Sequence, residues 1–126
     1  MFHILIIDDT RSVHAFTKSL LNKASGIQVS SAMDGAQGLE ALKENHFDLI
    51  LLDWEMPILN GPDTLEQIKK MDVSTPVIMT TTRNSVEDIQ RMLDAGVSEY
   101  MMKPFTIDIL FEKISYVTGK NFPYAA

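Results

Sequence analysis

Four short apolar runs, each stopping at a polar residue, constrain this chain more than any other feature. They are Ile4-Leu5-Ile6-Ile7 before Asp8-Asp9, Leu49-Ile50-Leu51-Leu52 before Asp53, Val77-Ile78-Met79 before Thr80-Thr81, and Tyr100-Met101-Met102 before Lys103. Runs of this length without polar alternation are expected to be strands buried on both faces of a parallel sheet. Ligands of such open sheets bind beyond the carboxyl ends of the strands. Three carboxylates, a hydroxyl and an ammonium should therefore converge on one crevice, a setting for a divalent cation and a phosphoryl group.

The segments between the runs carry helical spacing. Val13, Phe16, Leu20 and Leu21 predict a first helix that Gly26 ends, and residues 27–31 alternate as a short strand. After the Asp34-Gly35 turn, Ala36, Leu39, Ala41 and Leu42 predict a helix reaching His46. The third strand is expected over 48–53, followed by a loop of turn residues, Met56-Pro57 and Asn60-Gly61-Pro62. Pro62 suits the first turn of a helix carrying Leu65, Ile68 and Met71. A fourth strand is expected over 76–81, then a helix capped by Ser85, with Ile89, Met92 and Leu93 inward and Gly96 at its end. A fifth strand over 98–102 precedes a last amphipathic helix with Ile107, Leu110, Phe111, Ile114 and Val117. Five alternating βα units give an α/β fold with right-handed crossovers and helices on both faces of the sheet. The expected organisation is one domain over 1–120 and a short C-terminal tail over 121–126.

Composition narrows the function. The chain has 126 residues, 45% apolar and 22% charged, which suits a single soluble domain. A net charge of −6 with scattered Lys and Arg argues against direct nucleic-acid binding, which needs clustered cations. No apolar stretch approaches the roughly 20 residues that span a bilayer, so no membrane insertion is expected. Met1-Phe2-His3-Ile4 lacks the basic segment and long apolar core of a signal peptide, and there is no cysteine for disulfides or thiolate metal sites. A cytoplasmic location is the expectation that fits.

Asp8 and Asp9 stand at one strand end and Asp53 at another. Unit charges of like sign 4 Å apart repel by about 4 kcal/mol at an effective dielectric near 20, so something cationic must offset them. Hard oxygen ligands without His or Cys favour Mg²⁺ over Zn²⁺. Pro104 restricts Lys103 to extended backbone at its strand end, where an ammonium can pair with a carboxylate. A threonine hydroxyl at the end of the fourth strand is a natural donor to a phosphoryl oxygen. Trp54, directly after Asp53, is expected to be partly buried beside the site, and Tyr100 to be a half-buried strand aromatic.

These residues together resemble the receiver domain of two-component response regulators, especially single-domain, chemotaxis-type receivers. The matching pieces are Ile6-Ile7-Asp8-Asp9, Leu52-Asp53-Trp54-Glu55-Met56-Pro57 with Gly61, Met79-Thr80-Thr81, and Tyr100-Met101-Met102-Lys103-Pro104-Phe105. The resemblance implies a flavodoxin-like (βα)5 doubly wound parallel five-stranded sheet of order 2-1-3-4-5. It implies that Asp53 accepts a phosphoryl group from a sensor histidine kinase or a phosphotransfer protein. Asp8, Asp9, Asp53 and the Glu55 backbone carbonyl would then hold Mg²⁺, and Lys103 would contact the phosphoryl group. By the same resemblance Thr81 is the switch hydroxyl and Tyr100 the aromatic that changes rotamer. Phosphorylation would reshape the surface of the fourth helix, fifth strand and last helix for a downstream protein, acting as a monomer or by dimerisation.

Thr82 departs from the family's usual small residue after the switch threonine. Glu55 and Arg83 fall at positions that tune loss of the phosphoryl group, and a pair between them would shield it from water. The expected role is a signalling phosphoacceptor and not an enzyme with turnover. The alternatives are an N-terminal receiver of a longer regulator, a pseudo-receiver that works without phosphorylation, a dehalogenase-type phosphohydrolase and a flavin binder. The phosphohydrolase wants Asp where Glu55 stands, and Asp8-Asp9 would repel a flavin phosphate.

Overall fold

A computed structural model describes residues 1–125. The elements are β1 (Phe2–Ile7), α1 (Arg11–Leu21), β2 (Ile27–Ala32), α2 (Gly35–Glu44), β3 (Leu49–Asp53), α3 (Gly61–Lys70), β4 (Val77–Thr81), α4 (Val86–Asp94), β5 (Glu99–Met102) and α5 (Ile107–Thr118). All strand pairs are parallel and the order is β2-β1-β3-β4-β5, as the resemblance implies. The register pairs Ile7 with Leu52, Asp53 with Thr80, and Thr81 with Met102. Asp8, Asp53, Thr81 and Lys103 therefore leave the sheet at nearly the same level, along one edge of the molecule.

Side-chain alternation divides the core into two layers. Leu5, Ile7, Ile50, Leu52, Val77 and Met79 face Leu42 of α2, Leu65 and Ile68 of α3, and Met92 of α4. Ile4, Ile6, Leu49, Leu51, Ile78 and Met101 face Leu21 of α1 and Leu110, Phe111 and Ile114 of α5. Because both faces are covered, the central strands are apolar throughout, which is why their sequences show runs and not alternation.

The helix starts are set by side chains that accept from backbone N–H groups otherwise lacking a partner. Asp34 accepts from Gln37, Asn60 from Asp63, Ser85 from Asp88 and Thr106 from Ile109. Thr10 at the start of α1 makes no such bond. α5 ends at Gly119, whose φ of 72° is easy only for glycine.

Several expectations shift by a residue or two. β1 starts at Phe2, β2 extends to Ala32, β3, β4 and β5 each begin one residue later than expected, and α2 stops at Glu44 with Asn45 after it. The buried stripe of α1 is His14, Thr17 and Leu21, not the purely apolar one, and Phe16 is 44% exposed against Phe105. Leu93 points outward at 46% exposure, so α4 contributes only Met92 to the fully buried core. Trp54 is buried, not partly so. The tail folds back: Phe122 packs on Phe2 with ring centroids 5.0 Å apart, and Tyr124 stacks on Phe111 and bridges Ala24. Ala126, the last tail position, lies outside the described residues. Among the described residues no helix is long and apolar enough to cross a membrane.

Gly61, at the start of α3, packs tightly against the end of β3. A Cβ there would lie 2.4 Å from the Asp53 carbonyl oxygen and 2.7 Å from the Trp54 Cα, both backbone atoms with no freedom to swing aside. Gly61→Ala is expected to lower stability by about 1–3 kcal/mol, the usual cost of overpacking. A urea unfolding midpoint unchanged from wild type would contradict that close approach.

Candidate functional site

The β1–α1 turn supplies Asp8 and Asp9, the end of β3 supplies Asp53, and the residue after β5 supplies Lys103. One carboxylate oxygen from each aspartate lies within 4.8 Å of the others, so the three could hold a metal ion. Asp8 and Asp53 are buried, whereas Asp9 is exposed. The Lys103 Nζ donates to Asp8 Oδ2 and to Asp53 Oδ1, both at 2.9 Å. Charge-assisted bonds of this length are the stronger kind, and here one cation serves two acids. Three carboxylates against one ammonium leave two negative charges, the charge a divalent cation would neutralise.

The electrostatics follow from burial. Loss of water raises the Asp53 carboxyl above its ordinary value of 3.8; the Lys103 bond and charge oppose this, and the Asp8 charge adds to it. Burial alone would lower the Lys103 ammonium, but its bonds to Asp8 and Asp53 outweigh that, so it lies above 10.5. Asp53 shares its one cation with Asp8, which is why pairing does not bring it back down.

Asp8 is held at every polar atom. Its N–H donates to Ala32 O, its Oδ1 accepts from the Thr10 N–H at 2.9 Å, and its carbonyl oxygen contacts His14 Nε2 at 2.7 Å. Asp9 has only a long contact from the Thr10 hydroxyl, 3.4 Å. Asp9 is thus the carboxylate with the most unshared acceptor capacity, facing solvent above the crevice.

Around this centre the remaining predicted residues occupy two positions. Thr81 is buried, and its Oγ1 accepts from the Arg83 N–H at 2.9 Å, leaving its own hydroxyl proton free to donate. Tyr100, half-buried and opposite Met79 in the register, packs against the same layer of the core. Its ring lies under Lys113 Nζ, 5.4 Å from the centroid. Glu55, Thr82 and Arg83 form the exposed rim. Arg83 Nε meets Glu55 Oε1 at 2.8 Å, the pair expected from the sequence. The cleft bounded by Asp9, Trp54, Glu55, Met56, Asn60 and Arg83 measures about 400 Å³.

Three contacts escaped sequence reasoning. Arg83 also reaches Asp88 in the first turn of α4 at 3.7 Å, and Arg91 of α4 lies 5.7 Å from the centre of the Trp54 ring. His14 sits beneath Asp8 with its Nδ1 buried and unpartnered. The signal for His14 was present: at positions 14, 17 and 21 it shares a helical face with Thr17 and Leu21.

The chain belongs to the response regulator receiver domain family, whose model matches residues 4–115. It is 36% identical over 119 residues to YkoG of Bacillus subtilis, described as an uncharacterized transcriptional regulatory protein, covering 94% of this chain and 52% of that one. It is 32% identical over 121 residues to the chemotaxis protein CheY1 of Helicobacter pylori, covering 94% and 98%. The receiver domain of Francisella response regulator 1452 superposes with a TM-score of 0.86 at 31% identity, over 94% of this chain and 98% of that one. The chain therefore spans about half the length of transcriptional relatives such as YkoG and nearly all of CheY1.

Lys103→Met tests the electrostatic account. Removing the ammonium leaves Asp8 and Asp53 buried without a cation, which costs on the order of 3–5 kcal/mol for a buried pair and less here because Lys103 is partly exposed. The raised lysine value stabilises the fold fully below pH 10.5, and that contribution fades as pH climbs through the folded value. The stability gap between wild type and Lys103→Met should accordingly narrow above pH 10.5 in chelator-treated samples. A gap that stays constant or widens there contradicts the pairing.

Proposed function

We propose that this receiver is a phosphoacceptor in a two-component relay, with Asp53 as the acceptor of a phosphoryl group from a histidine kinase or phosphotransfer protein. The single observation that carries this is the buried Asp53 carboxylate, bonded to Lys103 and within 4.8 Å of two further carboxylates. Phosphoryl transfer is largely positioning and neutralisation of charge, and this crevice supplies both.

The all-oxygen donor set and its excess of two negative charges suit Mg²⁺, which Asp8, Asp9, Asp53 and the Glu55 carbonyl would hold. When bound, Mg²⁺ supplies charge neutralisation for the transferring oxygens. The chain's own residues do the rest. An Asp53 oxygen attacks phosphorus as the bond to the donor nitrogen breaks, and Lys103 moves from carboxylate to phosphoryl oxygen. The Thr81 hydroxyl donates to the same group. Its movement frees space in the layer that Tyr100 shares, and the surface of α4, β5 and α5 changes for a downstream protein. Shifting a 1:99 population to 99:1 needs about 5.5 kcal/mol, within reach of several charge-assisted bonds.

The Arg83–Glu55 pair roofs the crevice and slows attack by water, with Thr82 narrowing the entrance. The product is a signal and not a released compound, so the protein acts by self-catalysed transfer and slow hydrolysis, without multiple turnover of a substrate. A cytoplasmic protein acting as a monomer, or dimerising when phosphorylated, fits this role. A second reading, the N-terminal receiver of a longer regulator, is favoured by the half-length match to YkoG. The mass of the protein in its native cells decides between them.

With Mg²⁺ and a small phosphodonor, intact mass should show one phosphoryl group on wild type and none on Asp53→Asn. Absence of that group from wild type would sink the proposal. Glu55→Ala and Arg83→Ala should each shorten the phosphoryl lifetime several-fold, measured as the decay of the modified mass. Unchanged decay in both would remove the roofing role alone.

A further inference from the structure

We propose that His14 is a positioning residue for the acidic cluster, holding the Asp8 main chain through Nε2–H so that the β1–α1 turn presents its two carboxylates in fixed directions. The proposal rests on the cation-binding reading of that cluster and adds a residue to it. His14 lies in the second turn of α1, 5% exposed, with Nε2 at 2.7 Å from the Asp8 carbonyl oxygen. A carbonyl only accepts, so Nε2 must carry the proton. Nδ1 is buried without a partner. Leaving a buried polar atom unpaired is costly, and an apolar side chain of similar size would avoid it. The bond to Asp8 is the compensation on view.

That bond matters because the α1 start is unusual among the helices of this fold. Thr10 gives no side-chain cap, whereas α2, α3, α4 and α5 are each capped. The junction is closed instead by Asp8, through Oδ1 to the Thr10 N–H and through its carbonyl oxygen to His14. With Oδ2 taken by Lys103, Asp8 is immobilised, and the exposed Asp9 carboxylate is carried at a set angle on the next residue. Partners that orient ligands from behind usually matter about 10–100-fold in metal affinity.

Two variants separate positioning from packing. His14→Leu fills the site without a donor, and His14→Gln keeps an N–H near the Nε2 position. Mg²⁺ alone is titrated into each full chain, read by Trp54 fluorescence, with thermal midpoints recorded in chelator. The expected result is a Mg²⁺ Kd about tenfold weaker for His14→Leu and within about threefold of wild type for His14→Gln. Long-range ¹⁵N–¹H NMR of wild type should place the proton on Nε2, and this measurement stands even where His14→Leu does not fold. A wild type that binds Mg²⁺ while His14→Leu binds equally well overturns the proposal alone, as does an Nε2 that carries no proton. A wild type with no response to Mg²⁺ removes the cation reading and this proposal together.

Discussion

Two buried carboxylates held by one ammonium set the terms for this molecule. Lys103 is bonded to both Asp8 and Asp53, and neither acid can be neutralised by water at its depth. Like charges in such a place are stable only if the scaffold forbids them to separate, and the parallel register does that. Residues paired across β1, β3, β4 and β5 deliver the four strand ends at one level, so the repulsion is borne by the whole sheet and not by a loop. The crevice is left with an unbalanced negative charge, stored by packing, that a divalent cation can answer.

The polar centre connects to the outer surface by a short path. Thr81, two residues after Met79 on β4, alternates onto the layer of the core that Tyr100 joins, the placement on which the proposed switch depends. On the rim, two arginines tie α4 to the segment carrying Asp53: Arg83 to Glu55 and Asp88, and Arg91 over Trp54. Exposed ion pairs contribute little to overall stability, commonly 0–1 kcal/mol. Their value here is geometric, because they link one particular helix to one particular residue.

Much of this was legible in the sequence, for a physical reason. Strands buried on both faces need unbroken apolar runs, and the polar residue that ends each run marks where the sheet meets solvent; Asp8, Asp53, Thr81 and Lys103 could be placed on that basis. The helices were harder. Apolar spacing put Phe16 and Leu93 inside, but both are exposed, because the inward face of α1 is completed by His14 and Thr17 and that of α4 by Met92 with the partly buried Ile89. His14 is buried because it bonds the nearby Asp8 main chain, and only its place on the face shared with Thr17 and Leu21 marked it, not its hydropathy. The contact of Arg91 with Trp54 was illegible for a related cause: it joins elements far apart in the chain, whereas Arg83 and Asp88 are close in sequence and meet across the turn into α4.

α4 has one fully buried side chain, Met92, and Val86 and Leu93 in solvent, so its seat on the sheet is shallow. Lifting it would uncover Met92 and Ile89 but break no strand pairing. In the language of hydrogen exchange, its amides belong to a low-lying opening that leaves the five-stranded sheet protected. The fold has thus placed a shallowly seated helix directly beside its most highly charged cavity, where an electrostatic change acts on few apolar contacts.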